Sequence, residues 1–229
     1  LSTGSLSLDY ALLGGLPKGG TVTFTGEPGS GKTTLALMMA IAAKKEGYKV
    51  GVIDVENKFP SSYGYESGLG VPGKDYLLVR SPNQESALES IRAFARHGFG
   101  LAILDSMAML SPEAEVAQSI TENTVGLSAR VNGKFFRAAG GEIANSGIAV
   151  VIINQFRQGI GPYATRARPG GKAKDAAPII NVDMENPGAE DFSYASSKDK
   201  KDRIKAIGLT ISGRVWKNSY GEHRNFSVK

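Results

Sequence analysis

Apolar and polar positions along the chain fall into a repeating order of strand-like and helix-like stretches. Residues 21–25 alternate β-branched and aromatic side chains, the pattern of a strand. Residues 49–55 form the next strand and carry Glu56 at its C-terminal end, and residues 76–79 form a short one. The runs 101–104 and 148–153 are apolar without alternation, which suits strands of a parallel sheet buried on both faces. Between them, residues 36–47 read as a helix with Gly47 as its C-cap. Residues 83–97 place Ala87, Leu88, Ile91, Phe94 and Ala95 on one stripe of an amphipathic helix, and residues 123–145 are mostly helical. Residues 156–177 hold glycines, prolines and basic residues with no clear period, and two later strand-like runs span 179–185 and 205–216. There are no repeats and no linker. Strands alternating with helices predict an α/β fold: one domain with a mostly parallel twisted sheet and helices on both faces.

The first strand runs into Gly26-Glu27-Pro28-Gly29-Ser30-Gly31-Lys32-Thr33-Thr34, which has the G-x-x-x-x-G-K-[ST] spacing of a phosphate-binding loop. Good helix formers follow from Leu35 to Ala40. The chemistry needs strand, loop and helix in that order. Glycines let successive backbone N–H groups turn toward phosphate oxygens, and a helix N-terminus adds partial positive charge. Lys32 can reach β- and γ-phosphates, and the Thr33 hydroxyl can ligate Mg²⁺. The alternative, an ordinary glycine-rich turn, accounts for neither flank. The chain is expected to bind a nucleoside triphosphate.

Composition narrows the setting. The 229 residues are 41% hydrophobic, enough for a sizeable core. With no cysteine there is neither a disulfide framework nor a thiolate metal site, in agreement with a reducing cytoplasm. No run is long enough for a membrane span and no signal peptide opens the chain. The formal charge of +5 allows a polyanionic partner but also suits plain solubility.

Ligands of open parallel sheets sit beyond the C-terminal ends of the strands. Four strands here end in polar groups: Gly26 onward, Asp54 to Glu56, Asp105-Ser106 and Asn154-Gln155. Each alone could be a cap or a surface group; if the strands are neighbours, all converge on one site. Asp105 fits the acidic partner of the loop, holding Mg²⁺ directly or through water. Glu56 is either a general base for the attacking water or a surface acid. Gln155 is an amide suited to sensing a γ-phosphate. Tyr63 is a stacking candidate for the adenine, or simply a surface or core tyrosine.

These residues in this order resemble the RecA-type recombinases of bacteria and their phages, over essentially the whole chain. Leu1-Ser2-Thr3-Gly4-Ser5-Leu6-Ser7-Leu8-Asp9 with Gly14-Gly15-Leu16-Pro17 is similar to the family's entry into its ATPase core. Val52 to Glu56, Leu104 to Glu115, Gly126 to Arg130, Ile152 to Arg157 and Gly170-Gly171 are similar to later family segments. The resemblance implies an ATPase, with ATP and Mg²⁺ as cofactors, that forms helical filaments on single-stranded DNA and pairs it with a homologous duplex. It implies Lys32, Thr33 and Asp105 at phosphate and metal, Glu56 as base, Gln155 as switch, Tyr63 at the adenine and Lys217 at a neighbour's nucleotide. It also implies DNA contacts along the first loop and the helix after it, at Val125, Gly126, Arg130 and Arg137. In a second loop it implies Arg157, Ile160, Gly161, Gly170 and Gly171. The family's N-terminal polymerisation element and C-terminal domain are expected to lie outside these residues.

The residues bear on DNA directly as well. Arg130, Lys134 and Arg137 follow i, i+4, i+7 and form one basic stripe on a helix. Arg157, Arg166, Arg168, Lys172 and Lys174 populate a glycine-containing loop. The bland reading of both is a solvated basic face. The chain departs from the family where the second loop is shorter and more basic. It departs too where Asp175 takes a usual lysine position, Ser219 takes that of a second lysine, and Pro60 takes that of an adenine-contacting acid. Two other readings use the same core: an accessory ATP- and DNA-binding protein without strand exchange, and a hexameric DNA translocase.

Overall fold

The computed structural model describes residues 1–57, 59, 61–116, 126–158, 166–167, 171–188, 191–194 and 206–229; of these, the side chains of 63, 116, 157–158, 166–167, 192–194 and 206–207 are outside the description. In chain order the elements are α1 (Leu6–Ala11), β1 (Thr21–Gly26), α2 (Lys32–Lys45), β2 (Val50–Asp54), α3 (Ser61–Glu66), β3 (Leu77–Val79), α4 (Gln84–Arg96) and β4 (Leu101–Asp105). After a 3₁₀ turn at Met107–Met109 come α5 (Glu113–Val116), α6 (Leu127–Ser146), β5 (Ala149–Gln155), β6 (Arg157–Gln158), β7 (Arg166–Ala167) and α7 (Ala173–Ala176). The chain ends with β8 (Ile180–Met184), β9 (Phe192–Tyr194), β10 (Ala206–Leu209), β11 (Ile211–Asn218) and β12 (Asn225–Val228).

Eight strands form one sheet in the order β12-β11-β8-β1-β5-β4-β2-β3. The six from β8 to β3 are parallel, and β11 and β12 close one edge antiparallel. The continuous apolar runs divide by strand periodicity between two cores. Val151 and Ile153, with Leu101 and Ile103, join α1 and α2 on one face. Val150 and Ile152, with Ala102 and Leu104, join α4 and α6 on the other. Both faces of the central strands β4 and β5 are covered, so neither has a polar side to show water, and alternation is absent from these two runs for that reason.

The helices follow their local chemistry. Asn83 caps α4, accepting from the Ser86 N–H at 2.8 Å. Leu88, Ile91 and Phe94 are buried beneath it, each stabilising by about 1.5–3 kcal/mol. Arg92 and Arg96 both bind Glu142 of α6, at 2.7 and 2.9 Å. The hydrogen bonds from Arg92, then Arg96, hold the Glu142 carboxyl down to about 2. α6 begins after Gly126 in the left-handed region and ends before Gly147, also left-handed. Residues 123–125, expected within this helix, lie outside the described residues. Residues 1–20, rich in Gly, Ser and Leu, contain α1; Ser5 accepts the Leu8 N–H at 3.4 Å, and Asp9 holds Thr3 at 2.6 and 2.7 Å. Residues 156–177 supply the short β6–β7 pair and α7. Among the described residues no helix is long and apolar enough to cross a membrane.

Gly51 shows how tightly the second face is packed: a Cβ there would lie 2.4 Å from Phe94 Cε2. Gly51→Ala is predicted to destabilise by about 1–3 kcal/mol through overpacking, and adding Phe94→Leu should return part of that loss. Denaturant unfolding of the two single variants and the double variant measures the coupling; strictly additive effects would show that the ring is not what excludes the methyl group.

Candidate nucleotide site and its basic neighbours

The parallel register sets the ends of four strands side by side. Gly26 pairs with Gln155 across β1 and β5, and Asp54 with Asp105 across β2 and β4. Because β1, β5, β4 and β2 are consecutive neighbours, their polar ends meet. A cavity of about 200 Å³ is lined there by Pro28, Gly29, Lys32, Thr33, Asp54, Glu56, Phe59, Asp105 and Gln155.

The loop begins with Gly26 at the end of β1 and turns through Glu27, Pro28, Gly29 and Ser30, with the Ser30 N–H donating to the Glu27 carbonyl at 3.3 Å. Gly31 has φ 83°, and a Cβ there would lie 2.7 Å from Ile211, so both conformation and space call for glycine. It precedes α2 with no side-chain cap, which leaves the first N–H groups of α2 suited to anion oxygens. Lys32 donates to the Glu27 carbonyl at 2.6 Å and to Ser30 Oγ at 3.1 Å. Burial pushes its ammonium down, against the opposing pull of Asp105, Glu27 and Glu56. Thr34, the next helical position after Thr33, is exposed.

Thr33 Oγ1 donates to Asp105 Oδ2 at 2.7 Å. Asp105 is 9% exposed, and burial pushes its carboxyl up; Glu56 and Asp54 add to this, while the Thr33 bond and Lys32 oppose it. A hydroxyl and a carboxylate this close are hard oxygen donors of the kind Mg²⁺ takes beside phosphates and water. Thr33 and Asp105 therefore fit a metal–nucleotide complex. Among the described residues no group of three acidic, His or Cys side chains offers another metal site.

Glu56 joins two strands. Its Oε1 accepts from Ser106 Oγ at 3.0 Å and from Gln155 Nε2 at 2.7 Å. Gln155, expected to face a phosphate and the following segment, is here bonded to the candidate base. Two groups had no role assigned from sequence. Asp54, 3% exposed, accepts the Phe59 N–H at 3.0 Å and so shapes the turn that brings Phe59 into the cavity wall. Ser106 orients Glu56. Asp54 closes an apolar run as Asp105 does, which was the available signal. Tyr63 lies in α3, but its side chain is outside the description.

The basic stripe is present as spaced. Arg130, Lys134 and Arg137 are exposed on α6, while Asn132, Phe135 and Ala139 are buried. Gly126 is exposed at its N-cap. Gly171, with φ 79°, packs where a Cβ would lie 2.5 Å from Ala129 Cβ, so it and exposed Lys172 sit beside the first turn of α6. Arg157 and Arg166 lie in the paired strands β6 and β7, their side chains outside the description. Val125, Ile160, Gly161, Arg168 and Gly170 lie outside the described residues altogether.

Two lysines are bonded within the chain. Lys174 is no loop cation: it is 1% exposed and bound to Asp175 Oδ1 at 2.7 Å. Lys217 does not enter the cavity. It donates to the carbonyls of Asp175, Ala176 and Pro178 at 3.2, 2.5 and 2.7 Å. Its partner Asn181 stands level with Thr23 near the start of β1, away from the loop that follows Gly26.

The sequence profile of the RecA N-terminal domain family matches residues 1–214. The chain belongs to that family. It is 34% identical over 223 residues to the protein RecA of Rhodopirellula baltica, covering 95% of this chain and 56% of that one. It is 36% identical over 189 residues to the protein RecA of Chlorobium limicola, covering 80% of this chain and 53% of the relative. The chain thus spans about half the length of these curated RecA relatives.

Asp105 carries a stability prediction. Its folded pKa lies above that of the unfolded chain, so the ionised form costs stability above that raised value, and the cost fades as pH falls through it. Without nucleotide, Asp105→Asn should melt above the parent at pH 7, with the gap closing near the ordinary aspartate value of 3.8. Thermal unfolding at both values decides it; a variant less stable than the parent at pH 7 would refute the burial argument.

Proposed function

We propose that these residues form one ATPase core of a recombinase that binds ATP with Mg²⁺ and assembles as a helical filament on single-stranded DNA. In this reading it promotes pairing with a homologous duplex, in the cytoplasm. The observation that carries the reading is the meeting of Lys32, Thr33, Glu56, Asp105 and Gln155 around one cavity, with Gln155 leading directly into the basic segment that begins at Arg157.

The loop N–H groups and Lys32 bind the β- and γ-phosphates. Thr33 and Asp105 hold Mg²⁺, which supplies charge neutralisation along the phosphates when bound. Glu56, oriented by Ser106, takes a proton from the attacking water. Gln155 shares Glu56 Oε1 with Ser106, so a change in its hydrogen bonding reaches both the base and the segment after β5. Tyr63 stacks on the adenine. Arg130, Lys134, Arg137 and Lys172, with Gly126 and Gly171 shaping the backbone, engage DNA phosphates, and the basic residues 157–168 do so beside them. Lys217, at the far edge of the sheet, serves a nucleotide bound to a neighbouring copy.

Steady-state ATP hydrolysis with and without single-stranded DNA tests the reading. Strong stimulation is expected, with filaments by electron microscopy; hydrolysis indifferent to DNA would favour the accessory protein, and closed rings the translocase. Glu56→Gln should keep ATP binding and filaments while turnover falls by about 10²–10⁴; unchanged turnover removes Glu56 from the mechanism. Arg130→Ala with Arg137→Ala should reduce the slope of log affinity against log salt by about 2. An unaltered slope would leave α6 without a phosphate role.

A further inference from the structure

Away from the nucleotide cavity, two amide side chains are buried against each other between α4 and α6. Gln84 and Asn132 are both 0% exposed, and Gln84 Nε2 donates to Asn132 Oδ1 at 2.6 Å and to the Ser128 carbonyl at 3.2 Å. The Gln84 backbone N–H donates to the Ser111 carbonyl at 2.9 Å. Beside it, Glu85 Oε2 accepts the Glu113 N–H at 2.9 Å. The start of α4 therefore grips the chain on both sides of residues 117–125: Ser111 and Glu113 before them, Ser128 and Asn132 after.

An apolar pair would fill this position between two amphipathic helices without desolvating amides. The amides are not arranged for greatest stability, since Gln84 Oε1 has no partner among the described residues. What directional bonds supply and apolar contact does not is a fixed rotation and register of one helix on another. Asn132 follows Arg130 by two positions, roughly 200° around α6, so fixing Asn132 inward aims Arg130 and, with it, Lys134 and Arg137 outward. Ser111 lies on the segment that leaves β4 after Asp105.

We propose that Gln84 is a positioning residue. It holds the stems on either side of residues 117–125 and the rotation of α6 in one geometry, and so couples polyanion binding on the basic stripe to the nucleotide site at the end of β4. The coupling rests on the reading of α6 as facing DNA; the grip on both stems does not.

The test compares the parent with three variants of the whole chain. Gln84→Met nearly keeps volume without the bonds, Asn132→Asp keeps the acceptor, and Gln84→Met with Asn132→Leu makes the pair apolar. Amide hydrogen exchange, oligothymidylate binding, and ATP hydrolysis with and without that oligonucleotide are measured. Gln84→Met is expected to raise exchange in residues 111–116 and 127–132 together, leaving the phosphate loop and DNA-independent hydrolysis unchanged. Stimulation by oligothymidylate should fall about fivefold, the scale of one buried hydrogen bond, and Asn132→Asp should retain it. The apolar double variant should recover melting temperature but not stimulation. If the double variant recovers stimulation, the pair serves packing alone and the proposal is overturned; exchange rising on only one side overturns the grip on both stems. A parent that does not bind oligothymidylate removes the DNA reading of α6 and the coupling with it, while the exchange pattern still decides the grip.

Discussion

Parallel pairing of β1, β5, β4 and β2 places Gly26 level with Gln155 and Asp54 level with Asp105, and the rest of the site hangs on that alignment. Side chains at the ends of neighbouring parallel strands emerge a few ångströms apart, so Asp54, Asp105 and Gln155 are brought together there, and the loop after Gly26 carries Lys32 to them. Shifting one strand by a single residue would turn its terminal acid to the opposite face of the sheet. Both faces are sealed by helices, and the apolar cost of such a slip holds the register.

The alignment sets up an electrostatic conflict that the fold tolerates. Asp105 and Lys32 are nearly excluded from solvent, and burial acts against the charged form of both. The Lys32 ammonium is pushed down and the Asp105 carboxyl up. Partial compensation comes from short bonds: Thr33 to Asp105, Lys32 to the Glu27 carbonyl, and the Phe59 N–H to Asp54. A cavity held under such strain favours ligands that bring phosphate charge to Lys32 and positive charge to Asp105, the pattern of a metal–nucleotide complex.

The polar groups divide between two edges of the sheet. Glu56 gathers Ser106 and Gln155 at the edge where the strands end. Near the other edge, Lys217 is spent on three carbonyls around α7, and Asn181 donates to one of them, that of Asp175, at 2.7 Å. Lys174 and Asp175, an ion pair of adjacent residues, hold the same corner. α7 follows directly on Gly171, whose contact with Ala129 ties this corner to the start of α6.

Local pattern determined the six parallel strands, the principal helices and the residues at the strand ends, because periodicity, caps and the glycine spacing of the phosphate loop depend on neighbours within a turn or two. The exposed stripe on α6 was legible for the same reason: helical geometry alone puts Arg130, Lys134 and Arg137 on one side. Tertiary structure decided which strand ends meet, since the bond from Thr33 to Asp105 spans 72 residues and that from Gln155 to Glu56 spans 99. It also sent Lys174 inward, gave Asp54 the Phe59 turn, and joined Gln84 to Asn132. No local period distinguishes a buried lysine or glutamine from an exposed one. Their positions follow from the partners that pairing and packing bring to them, and a polar group stays buried only where those partners are waiting.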